Sequence, residues 1–138
     1  MPSRIKLKGR RKDGRFMGIP HIVLDHPDYI GLSTKSKALL IEIAYQYNGK
    51  NNGDMSVALT VLKKRGWKRN ATISDAVNEL LNAGLIVRTR VGQFQNPYSR
   101  CALYALSWQP INEFPDKGLE VGPTITPPRK FSMEKLGT

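Results

Sequence analysis

The sequence predicts an α+β domain: a three-helix core and a small antiparallel hairpin, set between a flexible basic N-terminal arm (residues 1–15) and a Pro-rich tail (110–138). Three observations predict it. Ile73, Ala76, Val77, Leu80 and Leu81 follow the i, i+3, i+4, i+7, i+8 spacing of one buried helical face. Leu85–Val91 and Arg100–Trp108 are β-prone runs, separated by the turn-forming stretch Gly92–Ser99. Composition changes sharply near residues 15 and 110, which places the domain at 16–109.

Taken in order, residues 1–15 are almost devoid of aliphatic side chains and are expected to be disordered when free. From Phe16, closely spaced apolar residues (Phe16, Met17, Ile19, Ile22, Val23, Leu24, Tyr29, Ile30, Leu32) suggest a strap across the next helix. Within it we expect a short helix or extended piece at Ile22–Leu24, then a turn at Asp25-His26-Pro27-Asp28. Ser33 is a good N-cap for a helix running to about Tyr47, with Asn48-Gly49 ending it. That helix has a broad apolar surface, which suits packing on more than one side. Asp54-Met55-Ser56 is expected to add a short edge strand. Val57–Arg65 is expected to form a second helix, closed by Gly66. The third helix starts after Asn70, whose side chain is placed to cap it, and stops at Gly84. In the returning strand, period-two alternation puts Ala102, Tyr104, Leu106 and Trp108 on one face, and Cys101 on the other as a small packing residue. The tail holds five prolines (Pro110, Pro115, Pro123, Pro127, Pro128) and is expected to be extended or disordered, with a short stretch near Phe131 that docks.

Charge narrows the partners. The net charge is +11 and it is uneven. The arm carries seven basic groups (Arg4, Lys6, Lys8, Arg10, Arg11, Lys12, Arg15) against Asp13, a net of +6; residues 16–109 carry +5; the tail is neutral. A basic arm on a moderately basic domain fits a polyanion such as nucleic acid. A single cysteine, Cys101, excludes an internal disulfide and a thiolate metal cage. No apolar run is long enough to span a membrane, and no apolar segment of a secretory signal follows the basic N-terminus. His21, Asp25, His26 and Asp28 match no metal-ligand spacing, and no cofactor motif is present. Two histidines in a turn-rich segment, with no nucleophile or phosphate-cradling loop in context, argue against an enzyme.

Helix, short strand, helix, tight turn, helix and two-stranded hairpin is also an order with a precedent. Val57-Ala58-Leu59-Thr60-Val61-Leu62-Lys63-Lys64-Arg65-Gly66-Trp67 resembles the first motif helix and glycine turn of winged helix-turn-helix domains. Asn70 through Ala83-Gly84-Leu85-Ile86 resembles their recognition helix and its Glu-Leu-x-x-x-Gly-Leu-Ile ending. The resemblance spans about residues 20–109. With Ile19-Pro20-His21, Tyr47-Asn48-Gly49 and Leu106-Ser107-Trp108, it extends to small phage and mobile-element regulators and to the N-terminal domains of replication proteins.

That resemblance implies sequence-specific binding of double-stranded DNA, by a transcriptional regulator or an origin-binding replication protein in the bacterial cytosol or nucleoid. In such domains the second helix enters the major groove and the first braces it on the backbone. The implied readers are Lys68, Arg69, Asn70, Thr72, Ser74, Asp75 and Asn78. Arg69 suits guanine, and Asn70 or Asn78 adenine. Lys63, Lys64 and Arg65 are assigned to phosphates, and Arg88, Arg90 and Arg100 in the wing, with the seven basic residues of the arm, to phosphates or a minor groove. Two residues depart from the family pattern: Asp75 stands where a basic or neutral side chain is usual, and Arg69 replaces the usual small hydroxyl cap. A homodimer remains open as a second partner, and so does a protein bound through the C-terminal tail. The competing reading is therefore a winged-helix protein-interaction module, favoured by Asp75 and by the neutral Pro-rich tail.

Overall fold

A computed structural model describes residues 14–92 and 100–131 of the 138-residue chain. Its architecture is mixed α+β. Two one-turn helices, α1 (His21–Leu24) and α2 (Pro27–Ile30), lead into the long helix α3 (Thr34–Gln46). Then come α4 (Leu59–Leu62), extended by a 3-10 turn over Lys63–Arg65, and α5 (Asn70–Asn82). Strands β1 (Ile86–Arg90) and β2 (Leu103–Leu106) form an antiparallel pair. Helices α3 and α5 make the main helix–helix contact.

The helix boundaries follow from local chemistry. Ser33 caps α3 by accepting the Ser36 amide at 3.2 Å. Where the sequence suggested a plain turn at Asp25–Asp28, His26 caps α2: its Nδ1 accepts the Asp28 amide at 3.0 Å, with Pro27 as the first helical residue. Both α4 and α5 end in Schellman-type turns. The Trp67 amide donates to the Leu62 carbonyl at 3.2 Å, and the Leu85 amide to the Leu80 carbonyl at 3.1 Å. Each turn needs a left-handed residue, supplied by Gly66 (φ 95°) and Gly84 (φ 76°). The start of α4 is later than Val57, because Ala58 is extended (ψ 142°). Ser56 Oγ takes the Ala58 amide at 3.1 Å, which stabilises a non-helical entry.

The core lies between α3, α5 and one face of the hairpin. Leu39, Leu40, Ile43, Leu62, Ile73, Val77, Leu80, Ile86 and Leu106 are buried there, with Val23 from the strap. Burying each such side chain contributes about 1.5–3 kcal/mol. The strap is only partly engaged: Ile19 and Ile22 pack on the core, whereas Phe16 and Met17 stay exposed.

The hairpin pairs Ile86 with Leu106, Val87 with Ala105 and Arg88 with Tyr104, then slips so that Arg90 faces Leu103. Thr89 falls in this irregularity, where its hydroxyl donates to the Gly53 carbonyl at 2.7 Å. Met55 forms an antiparallel bridge to Tyr104, adding the short edge expected near residue 55. The stretch 93–99, most of the expected hairpin loop, lies outside the described residues.

Alternation fails in β2, where all four residues are buried. The tail is bonded to the hairpin at this end. Ile111 is buried, the Glu120 amide donates to the Thr89 carbonyl at 2.7 Å, and the Arg129 amide donates to the Ser107 carbonyl at 2.9 Å. A strand covered on both faces no longer shows a polar side. Phe131 is buried too, edge-on to Trp108 (6.5 Å between ring centres) and to His26 (5.2 Å). The described tail has almost no regular secondary structure, yet it is laid along the domain through residue 131. Cys101, expected to pack, is exposed.

Candidate functional site

Helix α5 divides into two surfaces. Ile73, Ala76, Val77 and Leu80 are buried, while Asn70, Ala71, Ser74, Asp75, Asn78 and Asn82 face outward. Glu79 belongs to neither set. Its carboxylate reaches the start of α3, where Oε2 accepts the Ser33 amide at 3.1 Å and Oε1 the Ser33 hydroxyl at 2.7 Å. The Ser36 hydroxyl donates to Oε1 as well. These bonds, led by the one from Ser36, hold the Glu79 carboxyl below the usual carboxylate range. They also place a negative charge at the positive end of α3 and fix how α5 sits on it.

The N-terminus of α5 differs from the sequence expectation. Arg69 occupies the capping position, Asn70 is already the first helical residue, and among the described residues no side chain caps the helix. Asn70 therefore cannot supply the bond assigned to it, because its own backbone has turned helical. The first-turn amides stand beside Lys68 and Arg69, both exposed. Unpaired amides at a helix start, next to cations, suit an anion. A groove of about 620 Å³ runs past this end, lined by Lys35, Arg65, Lys68, Arg69 and Thr72, with Glu42 as its acid. Lys35 was not among the residues singled out from sequence, since it belongs to α3 and only the α3–α5 packing brings it here.

On the other flank, α5 and the hairpin enclose a cleft of about 540 Å³. Its floor is apolar (Leu59, Ile73, Val77, Tyr104), and Asn70, Ser74, Asn78 and Arg88 stand at its edge. Asn70, Ser74 and Asn78 are four residues apart and so share one stripe of the helix. The Arg88 guanidinium lies 5.7 Å from the Tyr104 ring centre, which positions it without neutralising it.

The basic residues are not equivalent. Arg65 is committed to Glu42 (2.9 Å) and stacks over Tyr45 at 4.2 Å. Its guanidinium is held above its usual pKa, chiefly by the hydrogen bond to Glu42. Arg90 donates to the Cys101 carbonyl (2.9 and 2.7 Å) and to the Lys117 carbonyl (2.8 Å), so it braces the hairpin against the tail. Arg100 is half-buried beside Gly118. By contrast, Lys63, Lys64, Lys68 and Arg69 are exposed. Among the described residues no hydrogen bond or ion pair engages these four side chains, nor those of Asn70, Thr72, Ser74, Asp75 and Asn78. Arg15 is exposed at the root of the arm; Arg4, Lys6, Lys8, Arg10, Arg11 and Lys12 lie outside the described residues.

The arrangement offers cations, amide and hydroxyl donors, and two carboxylates, Asp75 and the Arg65-paired Glu42. It suits recognition of an extended anionic surface by hydrogen bonding. Among the described residues no His, Cys, Asp and Glu side chains gather as a metal site, and none of the helices is long and apolar enough to cross a membrane. Comparison with protein-family models, with curated proteins and with solved structures found no match to this chain.

Proposed function

We propose that the chain is a winged helix-turn-helix protein that binds double-stranded DNA sequence-specifically, as a transcriptional regulator or origin-binding replication protein of a phage or mobile element. In this reading α4, the Gly66 turn and α5 are the helix-turn-helix, and β1–β2 with the Met55 bridge is the wing. One observation carries it. The outward side chains of α5 and its leading turn, from Lys68 to Asn78, make no bonds with the rest of the described protein, whereas Arg65, Glu79 and Arg90 nearby are engaged. Polar groups placed along one helix stripe and kept free of internal partners suit base edges. Lys35, Lys63 and Lys64 flank them at the phosphate-contacting positions, and Arg88 projects from the wing.

Asp75 also fits this reading. A carboxylate repels phosphate but accepts from a cytosine amino group, so it restricts which sequences are tolerated. The protein-partner reading would use a tail that engages its own domain at Ile111, Glu120, Arg129 and Phe131 but leaves Ile125 exposed.

Selection of bound fragments from a random duplex pool, followed by anisotropy titration of the best site, tests the proposal. Arg69→Ala and Asn78→Ala are each expected to lower discrimination by about 1–3 kcal/mol at one base position. Lys63→Ala is expected to weaken all duplexes alike. Recovery of no enriched sequence, together with an affinity indifferent to salt, would overturn it.

A further inference from the structure

Tyr45 on the outer side of α3 and Phe16 in the segment beside it are exposed aromatic side chains that the duplex reading leaves unused. Tyr45 is 56 % exposed and Phe16 is 72 % exposed. They are not scattered. Tyr45 lines two adjoining shallow clefts, one of about 440 Å³ shared with Arg15, Phe16 and Met17, the other of about 380 Å³ shared with Lys64 and Arg65. Neither cleft includes a residue of α5.

The chemistry of the two clefts is consistent. Arg65 Nε is held by Glu42 at 2.9 Å, and this sets the flat guanidinium 4.2 Å from the Tyr45 ring centre. Arg65 therefore presents a plane more than a free charge. Arg15 and Lys64, both exposed, supply the cations at the two ends. The chain enters at Gly14 directly from a stretch holding Arg4, Lys6, Lys8, Arg10, Arg11 and Lys12.

We propose that this face of α3 is a second nucleic-acid surface, one that takes a single strand by stacking bases on Tyr45 and Phe16. Charge complementarity selects a polyanion. The aromatic rings select an unpaired strand, because bases in a duplex are already covered by their neighbours, while a single strand offers a free face to each ring. Alternating planes and cations is how sequence-tolerant single-strand grooves are built.

The test uses the full chain and a fluorescent oligo(dT) of about twelve nucleotides, followed by anisotropy at fixed salt. Tyr45→Ala and Phe16→Ala are each expected to weaken oligo(dT) binding by about fivefold to about hundredfold, and Tyr45→Phe to bind as the unaltered chain does. The same variants keep duplex affinity within about twofold, while Lys68→Ala and Arg69→Ala lower duplex affinity and spare oligo(dT). The two surfaces are thereby scored separately. Ultraviolet cross-linking of oligo(dT) to the unaltered chain, read by mass spectrometry, is expected to label Phe16 or Tyr45, which covers the case of an alanine variant that does not fold. No binding of oligo(dT) by the unaltered chain, alanine variants of unchanged affinity, or cross-links confined to α5 overturn the proposal. So does an equal loss of oligo(dT) and polyglutamate in the alanine variants, which would mark the surface as one for acidic peptides.

Discussion

Asn52 is a polar residue with no exposed surface, sitting in the loop between α3 and the Met55 bridge. Its side chain accepts the Leu106 amide at 2.7 Å and donates to the carbonyls of Leu106 (3.0 Å), Gln109 (3.0 Å) and Pro110 (3.1 Å). Its backbone exchanges bonds with Asn112. One amide group thus ends β2 and starts the tail in the right direction. Only asparagine has both the donors and the acceptor at this reach. Asn52→Ala leaves one buried amide and several carbonyls short of partners, and is expected to cost about 2–4 kcal/mol, read as a lower denaturation midpoint in urea. Asn52→Asp is expected to cost more, since a carboxylate donates nothing and faces three carbonyl oxygens. An Asn52→Asp chain as stable as the original would mean that the bonds to Gln109 and Pro110 contribute little.

At the scale of elements, α3 and α5 are joined by packing and by one ionisable link. Glu79 was legible from sequence only as a charge on the exposed side of an amphipathic helix. Its role as a remote cap of α3 depends on Ser33 and Ser36, more than forty residues earlier, and no local pattern predicts such a meeting. The buried stripe of α5 and the Gly66 and Gly84 stops were legible, because spacing and left-handed backbone are local properties. The burial of Leu103 and Ala105 was not, because period-two alternation puts both on the face opposite the one it assigns to the core. The Glu79 link makes a pH prediction. Its folded pKa lies below the usual value of 4.5, so its stabilisation is fully present above that value and is lost as pH falls through the folded pKa. The melting temperature of Glu79→Gln should therefore sit below that of the parent at neutral pH and converge on it under acid conditions. A gap that stays constant from neutral pH to well below 4.5 would remove the carboxylate's charge from the account.

Across the whole molecule, the described tail contributes contacts and the N-terminal arm contributes charge. The tail is drawn in: Arg129 bonds Asp28 at 2.8 Å and the Ala83 carbonyl at 3.0 Å, linking α2 to the C-terminus of α5, and Phe131 closes the core beside Trp108. Its composition suggested an extended or disordered segment, since five prolines and few aliphatics give no periodicity to read. It is held by a few separate groups, the Arg129 guanidinium and the backbone amides of Asn112, Glu120 and Arg129, and such isolated anchors leave no periodic pattern in a sequence. The N-terminal arm is instead defined by charge. Deleting residues 2–13 removes six basic groups and Asp13, lowering the net charge from +11 to +6 while leaving every described residue in place. If the arm lies along phosphates, each contact it makes releases a counterion, and the slope of log affinity against log salt falls by about 0.9 per duplex contact. The shortened chain is thus expected to bind duplex more weakly at low salt and with a slope shallower by up to about 5. Its preference among sequences should not change, because phosphate contacts are blind to the base. Titrations of the selected site and a scrambled duplex at several salt concentrations separate these outcomes. An unchanged slope places the arm away from the duplex, and a collapsed preference with an unchanged slope places it among the bases.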